Sequence, residues 1–512
     1  MQQAVLQLGA SFVLLAACAL GLRAEAGAWR ARPPVWVFAI DVLPLLLGFA
    51  IFGTLSARPL LGALVTAALA TGLGVADRVK RSVLYEPVVF ADRAELLEVV
   101  RHPEFYIPFA GTAVMAAGTA ALLAMLALMA WEVPPLWDWS PWPPALALLA
   151  CAACLLLPGC APVLCWLHRR YDALAPTRDP VQDSARWGLC ASLVIHATLA
   201  RAERPGLRHA LPSLPAPAAI RPGAVVMVQL ESFFDPRRAH PAVPADVLPG
   251  YDACRAGAVA WGPLAVPSWG ANTVRTEFSA LAGVDVRALG LDRFNPYERF
   301  ALHPIETLAR RMRALGRRTL CLHPFDLSFY NRRRVLPALG FDRLIGPEAF
   351  PGTSGFVDDA TLARHAAQLI EAEGPDIFLF VISVGNHGPW LRDRGPEDAA
   401  PLPDALANLP DAGQFRRFLG GLRRTDAVFP ILSGALHAQG AGTLLCFGDH
   451  QPSLPGLLPH LLPGDTDTDY LLWDTEARHG KVSHPLAVDA LAALLLDHLA
   501  TPRATPRATL RA

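Results

Sequence analysis

Long uncharged stretches dominate the first third of the chain. Residues 1–22, 59–76, 105–131 and 139–167 contain no charged side chain, and 33–57 contain only Asp41. A helix needs about 20 predominantly apolar residues to cross the hydrocarbon core of a bilayer. The pattern therefore predicts five transmembrane helices, near 4–22, 35–56, 59–76, 109–131 and 144–166. Asp41 lies near one end of its helix, which favours a solvated carboxylate at the membrane interface over a functional one.

The charges between these spans bear on topology. Five spans place the two termini on opposite sides of the membrane, and Lys and Arg are enriched in cytoplasmic loops. The first and third loops carry eight basic residues, whereas the second and fourth carry only Arg58. Taken literally, this tally places everything after residue 167 in the cytoplasm.

The remainder of the chain alternates apolar strands with amphipathic helices. Residues 179–202 have the spacing of a helix that lies along the membrane or links to the following domain, and 203–223 form a Pro-rich linker. Strands are predicted at 224–230, 319–322, 376–383 and 442–447, and helices at 304–316, 358–373, 413–438 and 484–499. Continuous apolar strands between helices predict an α/β domain with a mostly parallel central sheet. The predicted organisation is a five-helix anchor (1–167), a juxtamembrane helix and linker (168–223), a catalytic domain (224–500) and a disordered tail (501–512).

Composition excludes several classes of protein. Lys plus Arg and Asp plus Glu both number 45, so nothing in the net charge favours a nucleic-acid partner. A mean hydropathy of +0.32 excludes a purely cytosolic globule. Five of the nine cysteines lie in the predicted spans. The other four, at Cys190, Cys254, Cys321 and Cys446, include no CxxC pair, so neither a zinc-ligand spacing nor a dense disulfide framework is indicated.

Polar residues follow each predicted strand. Glu231 follows the first, His323 the second, His387 the third, and Asp449 with His450 the fourth. Ligands of open α/β sheets sit at the carboxyl ends of the strands, so these side chains are expected to line one crevice. A single Glu or His in such a place is commonly a solvated loop residue, and it is their repetition that indicates a site.

Thr273 forms a fifth element, in the segment GANTVRTEF. A Gly and an Asn before a helical stretch put Thr273 at or next to a helix N-terminus, where it is either an ordinary capping residue or a nucleophile. As a nucleophile it needs a metal or a base. Glu231, Asp449, His450 and the Thr273 oxygen form a ligand set that suits Mn²⁺ or Mg²⁺, with Zn²⁺ as a further candidate.

Two more residues have candidate roles in phosphoryl chemistry. His387 is a candidate to protonate a leaving alcohol or to deprotonate an acceptor. Arg332 offers a fork for phosphate oxygens, although it begins an arginine run of the kind that is usually solvated.

Taken together in this order, the motifs VVMVQLESFFD, WGANTVRTEFSALAG, HPFDLSFYNRR, ISVGNHGPW and CFGDHQPSLP resemble the lipoteichoic acid synthase-like phosphoglycerol transferases. That family belongs to the sulfatase-like branch of the alkaline phosphatase superfamily. The resemblance implies one divalent metal, foremost Mn²⁺, held by Glu231, Thr273, Asp449 and His450. It implies catalytic roles for Thr273 and His387, and a substrate site of His323, Tyr330, Arg332 and His387.

The resemblance also implies a reaction and a location. Thr273 would take phosphoglycerol from the anionic lipid phosphatidylglycerol. A hydroxyl of a surface glycan or glycolipid would then displace the threonine and receive the phosphoglycerol. Tyr330 stands where the Gram-positive enzymes have Trp, so polymerisation of glycerol phosphate is not implied. The catalytic domain would face the periplasm or exterior of a bacterial cytoplasmic membrane, in conflict with the arginine tally, and the resemblance is preferred because that rule is statistical.

Four other functions compete. A phosphatase with two metals is disfavoured because nothing in the spacing of His460, His479 and His484 demands a second metal. A phosphoethanolamine transferase acting on lipid A or a glycan would use the same threonine and metal. A true sulfatase is disfavoured because the Cys-x-Pro-x-Arg signature is absent. A non-catalytic membrane scaffold is disfavoured because Glu231, Thr273, Asp449 and His450 are all present.

Overall fold

The computed structural model describes residues 2–103, isolated positions between 104 and 141, and residues 142–156, 160–207, 211–352, 355–476 and 483–500. The chain divides into two compact units, residues 1–209 and 210–512. The predicted tail, 501–512, lies outside the described residues. The predicted subdivision at 167 and 223 stays a prediction.

The first unit is helical. Its described helices are Gln2–Glu25, Val35–Ser56, Pro59–Leu84, Leu96–Arg101, Trp142–Leu156, Ala161–Asp172, Pro180–Trp187 and Leu189–Leu207. Within the described residues, three helices are long and apolar enough to cross a membrane: Val5–Glu25, Val35–Ser56 and Pro59–Leu84. These three confirm the apolar helices expected at the N-terminus.

The other two expected spans are not decided by the structure. Most of 109–131 lies outside the described residues. The segment 144–166 falls on the helices Trp142–Leu156 and Ala161–Asp172, with 157–159 again outside. The third span was predicted to end at residue 76, but the helix continues to Leu84, so three of the basic residues counted as loop are helical. The count of five spans stays a prediction.

Asp41 is not the solvated interfacial carboxylate that its position predicted. It is buried, and Arg23 donates a hydrogen bond to it at 2.7 Å. The second carboxylate oxygen accepts the backbone N–H of Ala191, 3.1 Å away, in the first turn of the helix Leu189–Leu207. Asp41 therefore joins a buried ion pair to the start of a second helix.

That contact explains why the helix predicted over 179–202 is broken. Gly188 has a φ of +101° between the helices Pro180–Trp187 and Leu189–Leu207. A Cβ there would lie 2.0 Å from a carboxylate oxygen of Asp41. Only glycine combines this backbone conformation with so close an approach.

We expect the Arg23→Met variant to lose about 3–5 kcal/mol of stability, because it leaves Asp41 buried and unpaired. The matched control is Arg78→Met, since Arg78 pairs with Glu25 at the surface, where an ion pair contributes little. Thermal unfolding of the full chain in detergent checks this. Equal losses in the two variants would contradict it.

The second unit contains one eight-stranded sheet. Its strands are β1 (Ala224–Leu230), β2 (Ala260–Ala265), β3 (Arg318–Leu322), β4 (Arg343–Ile345), β5 (Ile377–Ile382), β6 (Gly442–Gly448), β7 (Thr468–Asp474) and β8 (Leu486–Ala487). The spatial order is β4-β3-β5-β1-β6-β7-β2-β8. The first five in that order are parallel, and β7 is antiparallel to both of its neighbours. The predicted α/β fold with a mostly parallel sheet is confirmed.

Both faces of the central strands are covered, which explains their continuous apolar sequences. In β1, Val226 and Val228 face one hydrophobic core, while Val225 and Met227 face the other. The helices of this unit are Pro249–Ala256, Thr273–Ala282, Pro296–Phe300, Leu308–Ala314, Arg332–Leu339, Asp359–Glu373, Asp404–Ala407, Ala412–Thr425, Val428–Ala438, Leu458–Leu461 and Leu491–Ala500.

Several predicted bounds need correction. The helix predicted over 413–438 is two helices, and Asp426 at the junction accepts the backbone N–H groups of Gly250 and Tyr251. The helix predicted over 484–499 begins only at Leu491, because β8 precedes it. Four strands, β2, β4, β7 and β8, were not predicted; β4 and β8 are very short, and Gly262 and Pro263 interrupt the pattern of β2.

Candidate active site

Neighbouring parallel strands bring the first two acidic residues together. β1 and β6 are paired in register, with Leu230 opposite Gly448, so Glu231 and Asp449 leave the sheet side by side. From β5, on the other side of β1, Ser383 Oγ accepts the backbone N–H of Glu231 at 2.9 Å. The site is therefore built at the carboxyl end of the sheet, as expected for an open parallel sheet.

Glu231, Asp449 and His450 form a compact set of metal-ligating groups. One ligand atom from each lies within 4.8 Å of the others, and all three side chains are buried. His450 Nε2 is 3.6 Å from Glu231 Oε1 and 3.3 Å from Asp449 Oδ2. Asp449 Oδ2 accepts no hydrogen bond from the part of the chain that the structure describes. Two carboxylates and an imidazole, with one carboxylate oxygen buried and without a hydrogen-bond donor, fit a divalent cation.

Hydrogen bonds orient these groups toward one another. His450 Nδ1 lies 2.9 Å from the carbonyl oxygen of Gln451, which can only accept, so Nδ1 carries the proton and Nε2 presents its lone pair. Asp449 Oδ1 accepts the backbone N–H groups of Ser232 and His450, both at 2.9 Å. Its other oxygen is thereby left directed at the site.

The electrostatics of the set also favour a cation. Burial raises the pKa of Asp449 to about 6, and the charge of Glu231 contributes to the shift. Burial lowers the pKa of His450, but the charges of Asp449 and Glu231 outweigh it, and its net pKa is raised. Two buried carboxylates held close together repel each other, and a divalent ion relieves that repulsion.

Thr273 is the first residue of the helix Thr273–Ala282 and faces the metal-ligating set. Its Oγ1 is 3.5 Å from His450 Nε2. The N-cap is Asn272, in the left-handed conformation with a φ of +65°, and so Thr273 does not serve as the ordinary cap. One turn on, Thr276 Oγ1 donates to the backbone oxygen of Asp449 at 2.7 Å, which ties this helix to β6.

Arg332 is not part of a solvated basic face. It is buried and donates to Glu277 Oε2 at 2.8 Å, and this pairing raises its pKa although burial acts to lower it. Its Nη1 lies 3.2 Å from His323 Nε2. The His323 Nδ1 faces the carbonyl of Ile382 at 3.1 Å, and burial holds the pKa of His323 well below its ordinary value.

Glu277 is the residue that the sequence reasoning missed in this role. It is fully buried, and it accepts hydrogen bonds from Arg332, Gln229 and the Tyr297 hydroxyl. Its position four residues after Thr273, on the same face of the helix, is the signal that could have indicated it. Tyr330, half-buried, lies under the Arg332 guanidinium, whose Cζ is 5.3 Å from the ring centroid.

His387 lies at the edge of the same site. It is half-buried, its Nδ1 is 2.6 Å from the Gly388 carbonyl, and its ring packs 5.6 Å from that of Phe356. Burial lowers its pKa to about 4, and the charge of His450 acts in the same direction. His387 is therefore neutral near pH 7 and able to accept a proton.

Comparisons with known proteins agree with this geometry. The sulfatase family profile matches residues 224–501, more than half of the chain. The chain belongs to the sulfatase family. The sulfatase domain thus occupies the second unit, and the predicted membership of the sulfatase-like branch is confirmed.

The relatives of this sulfatase chain include two proteins of Rhizobium meliloti. It is 32% identical over 255 residues to the capsular polysaccharide biosynthesis protein RkpI, covering 48% of this chain and 44% of that protein. It is 26% identical over 306 residues to a candidate cyclic beta-1,2-glucan modification protein, covering 56% and 46%. The chain spans less than half the length of these relatives.

A solved structure shares the fold over nearly the whole length. The lipooligosaccharide phosphoethanolamine transferase EptA of Neisseria meningitidis, an integral membrane protein, is 13% identical, with 95% of each chain covered and a TM-score of 0.52. At this identity the likeness concerns the fold alone. It agrees with apolar N-terminal helices followed by a sulfatase-like domain.

We expect Mn²⁺ to raise the melting temperature of the metal-free protein, and Asp449→Asn to abolish that rise. Asp426→Asn, a buried carboxylate away from the site, serves as the control and should keep the rise. At pH 5 the rise should be smaller than at pH 7.5, because protons compete below the Asp449 pKa of about 6. A rise that Asp449→Asn retains would contradict the assignment.

The glycine before Asp449 should be equally necessary. A Cβ on Gly448 would lie 1.8 Å from the backbone oxygen of Phe233, so Gly448→Ala must displace the strand end that carries Asp449 and His450. We expect this variant to lose the Mn²⁺-induced rise in melting temperature. Gly434→Ala is the control, because nothing lies within 4 Å of the added Cβ. Metal-dependent stabilisation in Gly448→Ala equal to the control would refute the expectation.

Proposed function

We propose that this protein is a membrane-bound, metal-dependent transferase that moves phosphoglycerol from phosphatidylglycerol to a surface glycan or glycolipid. The observation that carries the proposal is the position of Thr273 Oγ1, 3.5 Å from His450 Nε2, at a helix N-terminus beside two buried carboxylates. A hydroxyl there is positioned as a nucleophile toward phosphorus. The order of motifs, from ESFFD to GDHQP, supports phosphoglycerol as the transferred group.

The chemistry divides into two displacements at phosphorus. In the first, Thr273 Oγ1 bonds to phosphorus, the bond to the diacylglycerol oxygen breaks, and the threonine proton ends on diacylglycerol. In the second, an acceptor oxygen bonds to phosphorus, the bond between phosphorus and Thr273 Oγ1 breaks, and the proton of the acceptor hydroxyl ends on Thr273. Glu231, Asp449, His450 and Thr273 would hold one divalent metal, Mn²⁺ in our proposal, which when bound neutralises phosphoryl charge and favours ionisation of the threonine.

His387 fits the second displacement. Because its pKa is about 4 it is neutral near pH 7, and a neutral imidazole can take the proton of the acceptor hydroxyl. His323, Tyr330 and Arg332 would line the substrate site. Arg332 is joined to the Thr273 helix through Glu277, so it would also orient the nucleophile.

The acceptor class rests on the relatives. One is named for capsular polysaccharide biosynthesis and another for modification of a cyclic glucan. A saccharide hydroxyl is therefore the acceptor we propose. A lipid donor suits a catalytic domain attached to apolar helices, and glycans of the cell surface suit a domain on the periplasmic side of the bacterial cytoplasmic membrane.

Phosphoethanolamine is the second candidate for the transferred group. The fold likeness to EptA extends over 95% of both chains, and that protein is named a phosphoethanolamine transferase. The threonine, metal and two displacements would be unchanged. The difference would lie in the donor headgroup alone.

Incubation of the metal-loaded protein with phosphatidylglycerol vesicles should add the mass of one glycerophosphoryl group to the intact chain. Thr273→Ala should show no adduct, because the nucleophile is absent, whereas Thr273→Ser keeps a hydroxyl and should show it at a reduced rate. Intact-protein mass spectrometry makes the measurement. Phosphatidylethanolamine vesicles provide the parallel arm.

The outcomes separate the candidates. An adduct from phosphatidylethanolamine alone would replace phosphoglycerol by phosphoethanolamine. An adduct that persists in Thr273→Ala would refute the nucleophile, and no adduct from either lipid would refute the transferase.

A further inference from the structure

The arginine expected to hold phosphate is already engaged. Arg332 is 3% exposed, two of its nitrogens face the Glu277 carboxylate, and its third faces His323. An ion pair this deeply buried is costly to break, since it would leave Glu277 uncompensated. The positive charge of Arg332 is therefore largely neutralised inside the domain, and the non-bridging oxygens of a phosphodiester, which gain negative charge in the transition state, need another cation.

Arg394 supplies a cation at the edge of the site. Its Nη1 donates to the backbone oxygen of Gly385 at 3.3 Å, and its Cζ lies 5.2 Å from the centre of the Phe356 ring. The same ring packs against His387, 5.6 Å away. Among the described residues, the Arg394 guanidinium pairs with no carboxylate, and the side chain is exposed.

The loop that carries Arg394 is fixed in place. The backbone N–H of Arg394 donates to Asp398 at 2.6 Å, and Asp398 is buried against the helix Ala412–Thr425. A Cβ on Gly420 of that helix would lie 2.1 Å from Asp398 Oδ1, so the fit is close. Arg394 thus projects from an anchored backbone, although the composition of 391–412 had indicated an ordinary surface loop.

One carboxylate of the metal-ligating set, Glu231, acts electrostatically on this arginine. Partial desolvation of the guanidinium and the charge of the neighbouring Arg424 lower the pKa of Arg394, although the residue as a whole is exposed, while Asp398 and Glu231 raise it. Arg424 is itself paired with Glu397 and Asp398. Of the two arginines, Arg394 is therefore the one whose guanidinium forms no ion pair with a described carboxylate. It is close enough to Glu231 for an electrostatic interaction.

We propose that Arg394, supported by the Phe356 ring and the Gly385 carbonyl, binds the non-bridging phosphate oxygens of the group transferred at Thr273. The assignment rests on the proposed function and adds a substrate-binding residue to it. A guanidinium that stacks on an aromatic ring keeps its remaining N–H groups for a bidentate contact with phosphate. The rival role is structural, in which Arg394 only holds the loop to Gly385.

Phosphate binding by the full chain in detergent, with Mn²⁺ present, distinguishes the two roles. The probes are inorganic phosphate and sn-glycerol 1-phosphate, titrated by calorimetry into wild type, Arg394→Ala, Arg394→Lys and Arg392→Ala. Arg392 is exposed two residues away, so its variant matches the charge change. We expect Arg394→Ala to bind both probes at least about tenfold more weakly, Arg394→Lys to be intermediate, and Arg392→Ala to match wild type.

Either of two results would overturn the inference: Arg394→Ala binds both probes as wild type does, or Arg392→Ala loses as much affinity as Arg394→Ala. A lowered melting temperature in Arg394→Ala with unchanged affinity would assign the structural role instead. The titration does not depend on transfer from any lipid. Failure of the proposed function would appear as a missing Thr273 adduct, while the Arg394 result would stand independently.

Discussion

The repulsion between two buried carboxylates organises the catalytic end of the sheet. Glu231 and Asp449 are forced together because β1 and β6 pair in register up to Leu230 and Gly448. Two backbone N–H groups donate to one oxygen of Asp449, whereas its other oxygen has no hydrogen-bond donor among the described residues. A fold that maintains such an arrangement gains from it only when a cation is bound, because an unpaired buried charge is costly.

Successive hydrogen bonds connect Asp449 to the helix of Thr273, and that helix to Arg332 and His323. Thr276 bonds to the backbone of Asp449, so the helix that carries Thr273 is held against β6. Glu277 on the same helix pairs with Arg332, and Arg332 in turn contacts His323 at the end of β3. Burial of this chain of polar groups explains why Thr273, Arg332 and His323 have defined positions. A substitution of Glu277 would therefore alter the positions of both Thr273 and His323.

The sequence predicted the parts of the molecule that depend on local patterns. β1, β3, β5 and β6 are continuous apolar runs, and the residues that follow them lie at the carboxyl end of the sheet. Contacts between residues remote in sequence could not be predicted from local patterns. Nothing near Asp41 indicates its contacts with Arg23 and Ala191, and nothing near Arg332 indicates its ion pair with Glu277. Short strands such as β4 and β8 are stabilised by their neighbours in the sheet, and local propensity alone does not show them.

The distribution of the site along the polypeptide has a consequence for synthesis. During synthesis, Glu231 and Thr273 leave the ribosome when about half of the chain has been made, whereas Asp449 and His450 emerge after almost all of the parallel sheet. No N-terminal fragment that ends before β6 contains the full set of ligands. A nascent or truncated chain of that length would carry Glu231 and Thr273 without Asp449 and His450, the partners that complete the proposed metal site.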